Sequence, residues 1–327
     1  MSVLPSPASH SAIVTRLRAA GCVFAEDEAR LLIRTARTPA DLDAMVDRRV
    51  ASLPLEHVLG WAEFCGLRIA VDSGVFVPRR RTEFLIHQAT ALAHQATAPT
   101  GQGTAPTGQA TAPTGQGVVR DGRAVGSGGQ GSGSDRERVV VDLCCGSGAL
   151  GVALAAALGR VELHAADIDP VAVRCARHNV AAVGGQVYEG DLYEPLPTAL
   201  RGRIDILVAN VPYVPTEAVG LLPPEARVHE ARVALDGGAD GLDVLRRVAA
   251  EAPRWLTPGG HLLFETSERQ VPQAVAAIAG GGLAPRVVVS DELDATVVIA
   301  TRPAAQSPLD SMTATTPART TNSAPTT

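Results

Sequence analysis

An amide, an aromatic ring and a proline follow an apolar run at residues 210–213. The run Ile204–Ala209 is typical of a buried strand, and Asn210, Val211, Pro212 and Tyr213 come directly after it. At a strand end, the Asn210 side-chain oxygen and the Val211 carbonyl can accept the two hydrogens of a planar –NH2 group. Pro212 restricts Val211 to extended backbone and so aims its carbonyl, while Tyr213 can stack on the planar group. This chemistry orients a poorly nucleophilic nitrogen without a general base; the alternative is an ordinary strand-end turn.

A second group of residues has the pattern of a nucleoside site. A strand-like run at residues 139–143 leads into a loop of small residues and then an alanine-rich helical segment. The loop residues are Cys144, Cys145, Gly146, Ser147 and Gly148. Its glycines let the backbone approach a ligand closely, because no Cβ intervenes. Asp167 ends the next predicted strand, where an acid can accept both hydrogen bonds of a ribose diol. Loop and acid together predict a nucleoside cofactor.

The charge of the loop favours a cationic cofactor over NAD. The loop departs from G-x-G-x-x-G, which would place a pyrophosphate at the helix N-terminus, and Asp142 would repel phosphate. S-adenosylmethionine (AdoMet) carries a sulfonium and an ammonium group and tolerates Asp142. Asp191 and Leu192 follow the third predicted strand. There a carboxylate or backbone group can meet the adenine amine, although Asp191 can equally be a turn former.

With these two groups, the sequence resembles the class I AdoMet-dependent methyltransferases that modify amino groups. Residues 54–60 (PLEHVLG), 63–67 (EFCGL) and 77–83 (VPRRRTE) are similar to the protein glutamine methyltransferases of the HemK/PrmC type. Residues 237–242 (GGADGL) and 258–265 (PGGHLLFE) extend the resemblance. It implies that AdoMet donates a methyl group to a glutamine side-chain amide nitrogen, in a release factor or a ribosomal protein.

The resemblance also implies roles for individual residues. Residues 144–148, Asp167, Leu192 and Asn210 would line the AdoMet site, and residues 210–213 would hold the substrate glutamine. Three departures indicate a divergent branch. Val211 stands second in the usual Asn-Pro-Pro-Tyr, which keeps the carbonyl but gives a less rigid loop. The usual P-R-P-E-T-E reads PRRRTE at residues 78–83, and the first loop glycine is Cys144.

Two charged groups near these motifs have alternative interpretations. Arg79, Arg80 and Arg81 form a basic cluster that can contact RNA or a protein partner, but we interpret it as a solvated charged face. Residues 225–230 follow the loop at 210–213. Among them, Glu225, His229 and Glu230 either order that loop or are charges on a helix surface.

Composition excludes several classes of protein. The net charge of −5 and the pI of about 5.9 argue against a protein whose main partner is nucleic acid. The sequence has no run of about 20 apolar residues and no signal-peptide pattern. Its five cysteines and eight histidines show no disulfide framework and no metal-site spacing. We therefore expect a cytoplasmic enzyme with a protein substrate, without a metal, a membrane partner or direct nucleic-acid binding.

The motifs must be positioned by an α/β domain. Strand and helix patterns alternate through residues 136–303, which predicts a doubly wound, Rossmann-like parallel sheet of the class I AdoMet-methyltransferase type. Ligands should lie at the carboxyl ends of its strands. Residues 1–53 show helical apolar spacing and predict a small N-terminal helical domain. Residues 54–94 predict a β-hairpin, formed by residues 67–71 and 75–77, and a connecting helix.

Low-complexity segments interrupt and follow this domain. Residues 95–135 contain near copies of a TAPTGQ unit and predict a flexible linker. Residues 304–327 are rich in Thr, Ser, Pro and Ala and predict a disordered tail. The linker contains a Gly-Gly-Gln triplet at residues 128–130, which we expect to occupy the acceptor site weakly, in cis or in trans. The alternative is a chance match in a segment rich in Gly and Gln, since the same triplet recurs at residues 184–186.

Two alternative functions share these motifs. The first is an adenine or guanine amino-methyltransferase acting on nucleic acid, which also needs a loop that holds a planar –NH2 group. The acidic composition and the motifs at residues 54–83 count against it. The second is a non-catalytic AdoMet-binding module, suggested by Val211 and by the altered PRRRTE segment.

Overall fold

The computed structural model describes residues 7–95 and 136–304. Nearly all of the linker predicted at residues 95–135 and of the tail predicted at residues 304–327 therefore lies outside the described residues. The Gly-Gly-Gln triplet at residues 128–130 also lies outside them, and its binding to the acceptor site stays a prediction.

A cluster of helices forms the N-terminal part of the chain. The helices are α1 (Pro7–Ala19), α2 (Ala25–Thr35), α3 (Pro39–Val50) and α4 (Leu55–Leu59). The α3 helix begins at Pro39 because Thr38 caps it: the Thr38 hydroxyl accepts a hydrogen bond from the Asp41 N–H at 3.1 Å. Apolar residues from α1, α2 and α3 interlock in one small core; among its fully buried members are Leu17, Ala29, Leu32 and Val46. This core is separate from those of the sheet.

The predicted hairpin exists, but its pairing was wrong. Strand β1 (Trp61–Phe64) pairs antiparallel with β2 (Leu67–Ala70). The turn is Cys65-Gly66, with φ values of 50° and 71°, as a two-residue hairpin turn of this kind requires. The segment at residues 75–77, which we expected to pair with β2, is instead held from both sides. Its Val75 carbonyl faces His57 Nε2 at 2.8 Å, and its Val77 N–H donates to Glu230 at 3.1 Å.

A seven-stranded sheet lies at the centre of the second part of the described chain. Its strands are β3 (Arg138–Leu143), β4 (Val161–Asp167), β5 (Gln186–Glu189), β6 (Ile204–Ala209), β7 (Leu256–Thr266), β8 (Ala284–Ser290) and β9 (Ala295–Thr301). Their order is β5-β4-β3-β6-β7-β9-β8. The pairs from β5 through β7 are parallel, and β9 is antiparallel to both β7 and β8. This is the predicted class I methyltransferase architecture.

Helices cover both faces of the sheet. They are α5 (Glu83–Gln95), α6 (Ala149–Leu158), α7 (Pro170–Ala181), α8 (Pro224–His229), α9 (Asp243–Trp255) and α10 (Val271–Gly280). One core packs residues of α5, α6 and α7 on the sheet, and the other packs residues of α9 and α10 on the opposite face. Among the helices of the described residues, none is long and apolar enough to span a membrane.

The strand order reverses between β3 and β6. The chain moves outward from β3 to β4 and β5, and then returns to the other side of β3 to form β6 and β7. In open α/β sheets such a switch point leaves a crevice outside the carboxyl ends of the strands. The loop at residues 144–148 and the loop at residues 210–213 both begin there.

Candidate active site

The first feature of the switch point is a cleft between the carboxyl ends of β3, β4 and β6, here named the inner cleft. Its empty space, which includes open solvent, is about 970 Å³. It is lined by Phe76, Pro78, Cys144, Cys145, Gly146, Ser147, Ala149, Leu150, Ala166, Asp167, Ile168, Asp169, Ala172, Asp191, Leu192, Asn210, Pro212, Ala231, Val233, Ala234, Val244 and Arg247. Most of these side chains are apolar, and a few polar groups converge among them.

The loop at residues 144–148 is held tightly at one wall of the inner cleft. The Gly146 N–H donates to Asp167 Oδ2 at 2.8 Å, and the Cys145 N–H donates to the Ala166 carbonyl at 3.1 Å. From behind, the Asn179 amide donates to the Ser147 carbonyl at 2.8 Å. Gly148 has a φ of 77°, and a Cβ there would lie 2.8 Å from a Val180 methyl group. The loop conformation is therefore set by β4 and α7 as well as by its own glycines.

Two of the predicted cofactor residues, Asp142 and Gly148, do not line the inner cleft. Asp142 is fully buried, and its Oδ2 accepts a hydrogen bond from the Gly151 N–H at 2.9 Å. Asp191 does line the inner cleft, and its carboxylate is paired with Arg247 at 2.6 Å, a partner that the sequence reasoning missed.

Asp167 is the most deeply placed acid in the inner cleft. Burial raises the pKa of its carboxyl group, while the backbone N–H groups of Asp169 and Gly146 act in the opposite direction. The Asp169 N–H donates to Asp167 Oδ1 at 2.9 Å. Both carboxylate oxygens are therefore oriented before any ligand arrives, and each has further lone pairs with which to accept a hydrogen bond.

A second cleft adjoins the first and is here named the outer cleft. Its empty space is about 1330 Å³, part of it open solvent, and it is lined by Pro54, Glu56, Phe76, Arg79, Arg81, Asn210, Val211, Tyr213, Val214, Leu222, Pro223, Glu225, Ala226, Glu230, Ala234 and Leu235. Asn210, Phe76 and Ala234 line both clefts. Of the loop at residues 210–213, Pro212 faces the inner cleft, and Val211 and Tyr213 face the outer cleft. The structure thus places Asn210 where the two clefts meet.

A glycine-rich segment supports this loop from below. A Cβ at Gly237 would lie 2.5 Å from the Pro212 carbonyl oxygen, and a Cβ at Gly241 would overlap the Tyr213 carbonyl oxygen. The Gln270 amide also donates to that Tyr213 oxygen at 2.9 Å. The loop can approach this closely only because positions 237 and 241 have no side chain.

Comparison with known proteins agrees with this geometry. Residues 132–241 match the family model of the methyltransferase small domain. The chain is 33% identical over 223 residues to the release factor glutamine methyltransferase of Geobacter sulfurreducens, and the alignment covers 68% of this chain and 63% of that relative, a little under two thirds of its length. The enzyme of the same name from Streptomyces coelicolor is 33% identical, with coverage of 71% and 70%. That from Mycolicibacterium smegmatis is 32% identical, with coverage of 78% of each chain.

The chain belongs to the release factor glutamine methyltransferase family. In this family member the basic cluster at residues 79–81 is only partly the solvated face that we expected, because two of its three arginines are paired with buried acids. Arg79 pairs with Glu230 at 2.6 Å, and Arg81 Nε lies 2.7 Å from Glu265. Only Arg80 of the three is exposed. Glu230, which lines the outer cleft, and Glu265 are both buried, and a buried carboxylate requires a positive partner.

Glu265 and Thr82 are site residues that the sequence reasoning missed in this family member. The Thr82 hydroxyl donates to Glu265 Oε2 at 2.7 Å, and the Tyr213 hydroxyl lies 3.4 Å from Glu265 Oε1. Burial raises the pKa of Tyr213, and the negative charge of Glu265 raises it further, to about 12. The phenol therefore stays protonated. The position of Glu265 at the end of the PGGHLLFE motif, near the carboxyl end of β7, was the signal that could have found it.

The N-terminal helices also reach the outer cleft. Arg49 of α3 is buried, forms an ion pair with Glu28 at 2.6 Å, and contacts Glu225 of α8 at the same distance. Glu225 lines the outer cleft. The α8 segment therefore orders the cleft wall through Arg49, rather than carrying only surface charges.

Gly241→Ala is expected to destabilise the protein. Alanine at a φ of 78° is strained, and its Cβ would push the Tyr213 carbonyl away. We expect the free energy of unfolding to fall by about 1–3 kcal/mol, measured by denaturant titration. The control is Gly280→Ala at the end of α10, where a Cβ would meet nothing within 4 Å. Equal stability of the two variants would contradict the packing role of Gly241.

Asp142 is expected to make stability pH-dependent. Burial raises the pKa of its carboxyl group from 3.8 to about 7, and Asp142 Oδ1 has no hydrogen-bond partner among the described residues. Between about pH 4 and pH 7 the folded protein therefore holds a proton that the unfolded chain has lost, so this contribution to stability is lost as pH rises across that range.

Asp142→Asn removes that titration. We expect the free energy of unfolding of the variant, relative to that of the parent protein, to be higher at pH 8 than at pH 5. Chemical denaturation at the two pH values measures this difference. The control is Asp43→Asn, which changes an exposed acid of α3. Parallel stability profiles for the Asp142→Asn variant and the parent would show that Asp142 does not titrate in this range.

Proposed function

We propose that this protein transfers the methyl group of AdoMet to the side-chain amide nitrogen of a glutamine in a peptide chain release factor. The observation that carries the proposal is the position of Asn210 at the junction of the inner and outer clefts. The curated relatives named above are enzymes of this activity, and their similarity supports the same reaction here.

The inner cleft fits AdoMet in shape and chemistry. Asp167 lines this cleft, and each of its oxygens is held by one backbone N–H and keeps a lone pair for a ribose hydroxyl. The polar loop at residues 144–148 forms one wall, while Leu150, Ala172 and Val244 offer apolar surface to an adenine ring. Leu192 and Asp191 lie at the end of this surface, with Asp191 held by Arg247. When bound, AdoMet supplies an electrophilic methyl group on a sulfonium.

The loop at residues 210–213 prepares the acceptor nitrogen. An amide nitrogen is a weak nucleophile because its lone pair is delocalised into the carbonyl group. We infer that Asn210 Oδ1 and the Val211 carbonyl accept its two hydrogens, which directs the lone pair toward the inner cleft. Tyr213 packs beside the planar group, with its phenol protonated. The loop therefore acts by orientation and fixed dipoles, and the nitrogen can lose its proton to water after transfer.

The walls of the outer cleft offer a peptide both charged and apolar contacts. It is open, and it combines charged side chains with apolar surface from Pro54, Leu222 and Pro223. Residues of the N-terminal helical part, the hairpin region and α8 all reach its walls. We propose that residues 1–53 and 54–94 form a recognition unit for the protein substrate, joined by a linker at 95–135 to a catalytic domain at 136–303 and followed by a tail at 304–327. The reaction belongs to the cytoplasm, where translation terminates.

The test is methyl transfer by the full chain. Purified protein is incubated with isotopically labelled AdoMet and with release factors or ribosomal RNA from the same source, and peptides are analysed by mass spectrometry. One added methyl mass on a release-factor glutamine supports the proposal. Label in RNA but not in protein would support the nucleic-acid alternative. AdoMet binding by calorimetry without turnover on either substrate would support a non-catalytic module.

A further inference from the structure

The side chain of Arg81 joins the acceptor loop to the core of the sheet. Its guanidinium donates a hydrogen bond to the Tyr213 hydroxyl, and its Nε forms an ion pair with Glu265 at 2.7 Å. The Thr82 hydroxyl holds the other Glu265 oxygen at 2.7 Å. Three segments far apart in sequence thus meet at one buried carboxylate, the Glu265 side chain, which is 4% exposed.

The loop at residues 210–213 needs such a connection at its far end. Asn210 is positioned by β6, and Pro212 fixes its own φ and restricts Val211. Val211 has no ring, so its φ is limited only by ordinary sterics. Tyr213 closes the loop, and its ring can swing about χ1 unless its hydroxyl is held. The backbone on either side is already held, since the Gln270 amide binds the Tyr213 carbonyl at 2.9 Å. The ring is therefore the part of the loop that still needs an anchor, and a swing of the ring would remove the surface that packs beside the planar acceptor amide.

Arg81 does not itself face the proposed AdoMet site. It lines the outer cleft, but it is not among the residues that line the inner cleft. Its guanidinium carbon lies 5.8 Å from the Tyr213 ring centroid, so the side chain supports the ring as well as its hydroxyl. This placement separates an effect on the acceptor loop from an effect on AdoMet binding.

From these contacts we propose that Arg81 is a positioning residue for methyl transfer, which holds the Tyr213 ring in place beside the planar group of the acceptor amide. The predicted effect on kcat rests on the proposed function, whereas the predicted effect on the position of the Tyr213 ring does not. The contact explains why an arginine stands beside two buried partners at this position. A planar guanidinium can bind a carboxylate and a phenol at once, which an ammonium group does less well.

The kinetic test compares Arg81→Ala, Arg81→Lys and Tyr213→Phe in the full chain. Arg81→Ala should lower kcat by about 10-fold or more, toward the ~100-fold cost of a ~1 Å misplacement, with KM for AdoMet within about 2-fold. Arg81→Lys should recover part of kcat. The Arg81→Ala/Tyr213→Phe double variant should be no slower than Arg81→Ala, because both changes break one contact. The control is Arg80→Ala, an exposed arginine on the same short helix, Arg80–Thr82.

A structural readout keeps the inference testable without substrate. The chain has three tyrosines. Tyr188 and Tyr193 have anchors of their own, since their rings stack on His164 and Trp255. In protein with 13C-labelled tyrosine, Arg81→Ala should shift or broaden the ring signals of Tyr213 alone, and Arg80→Ala should change none.

The NMR and kinetic measurements distinguish failure of the inference from failure of the proposed function. Unchanged Tyr213 signals in Arg81→Ala would overturn the positioning role, whatever the enzyme methylates. Multiplicative losses in the double variant would show that Arg81 acts on the substrate directly and would also overturn it. Absence of methyl transfer by the parent protein, with Tyr213 displaced in Arg81→Ala, would instead reject the proposed function and leave the structural link standing.

Discussion

Asn210→Ala is expected to lower the rate of methyl transfer by about 10²–10³-fold, the usual cost of removing one preorganised polar contact at a reacting centre. The Asn210 side chain is the one polar group of the loop that lines both clefts, so its oxygen can reach an amide nitrogen that faces the donor. The effect on AdoMet affinity should be much smaller. Single-turnover kinetics and calorimetry measure the two quantities separately.

The control for this variant is Gln186→Ala. Gln186 is an exposed amide at the start of the edge strand β5, in the same sheet but away from both clefts. Its removal should leave the rate unchanged. If Asn210→Ala methylates as fast as the parent protein, the loop at residues 210–213 does not hold the acceptor.

Asp167→Ala is expected to weaken AdoMet binding by about 10- to 100-fold. Hydrogen bonds to charged groups contribute about 1.5–3 kcal/mol each. Besides binding the ribose, the Asp167 carboxylate accepts a hydrogen bond from the Gly146 N–H, which fixes the loop at residues 144–148. Loss of the ribose contact and loss of loop order therefore act in the same direction. Calorimetric titration with AdoMet gives the dissociation constant directly.

Glu189→Ala is the matched control for Asp167→Ala. Glu189 pairs in register with Asp167 on the neighbouring strand β5, but it is exposed and lies outside the inner cleft. We expect AdoMet affinity to be unchanged in this variant. The same affinity in both variants would remove Asp167 from the cofactor site and leave it a structural role in the loop.

The buried acids that pair with residues 79 and 81 show where reasoning from sequence was limited. Residues 79–81 have the local pattern of a solvated basic face, and nothing within that segment distinguishes Arg81 from Arg80. The distinction comes from Glu230 and Glu265, which are about 150 and 180 positions further along the chain. A charge run can be interpreted correctly only when its partners are known.

The hairpin error has a different cause. Residues 67–71 and 75–77 alternate around an Asp-Ser-Gly turn, which is a sound local hairpin signal. Residues 61–64 compete for the same strand through the shorter Cys65-Gly66 turn, and that pairing prevailed. The displaced segment was then free to place Phe76 between the inner and outer clefts, held by His57 and Glu230.

The sequence by itself determined the order of the strands and helices, the doubly wound sheet and the two loops at the carboxyl ends of β3 and β6. These features depend on apolar periodicity and on local turn chemistry, which act over a few residues. Only the tertiary structure decided that Asn210 lies where two clefts meet, that Asp191 pairs with Arg247, and that Arg81 and Glu265 contact the Tyr213 hydroxyl. Those relations join residues far apart in the chain, and they are set by which buried charges and close-packed backbones can meet once the sheet has formed.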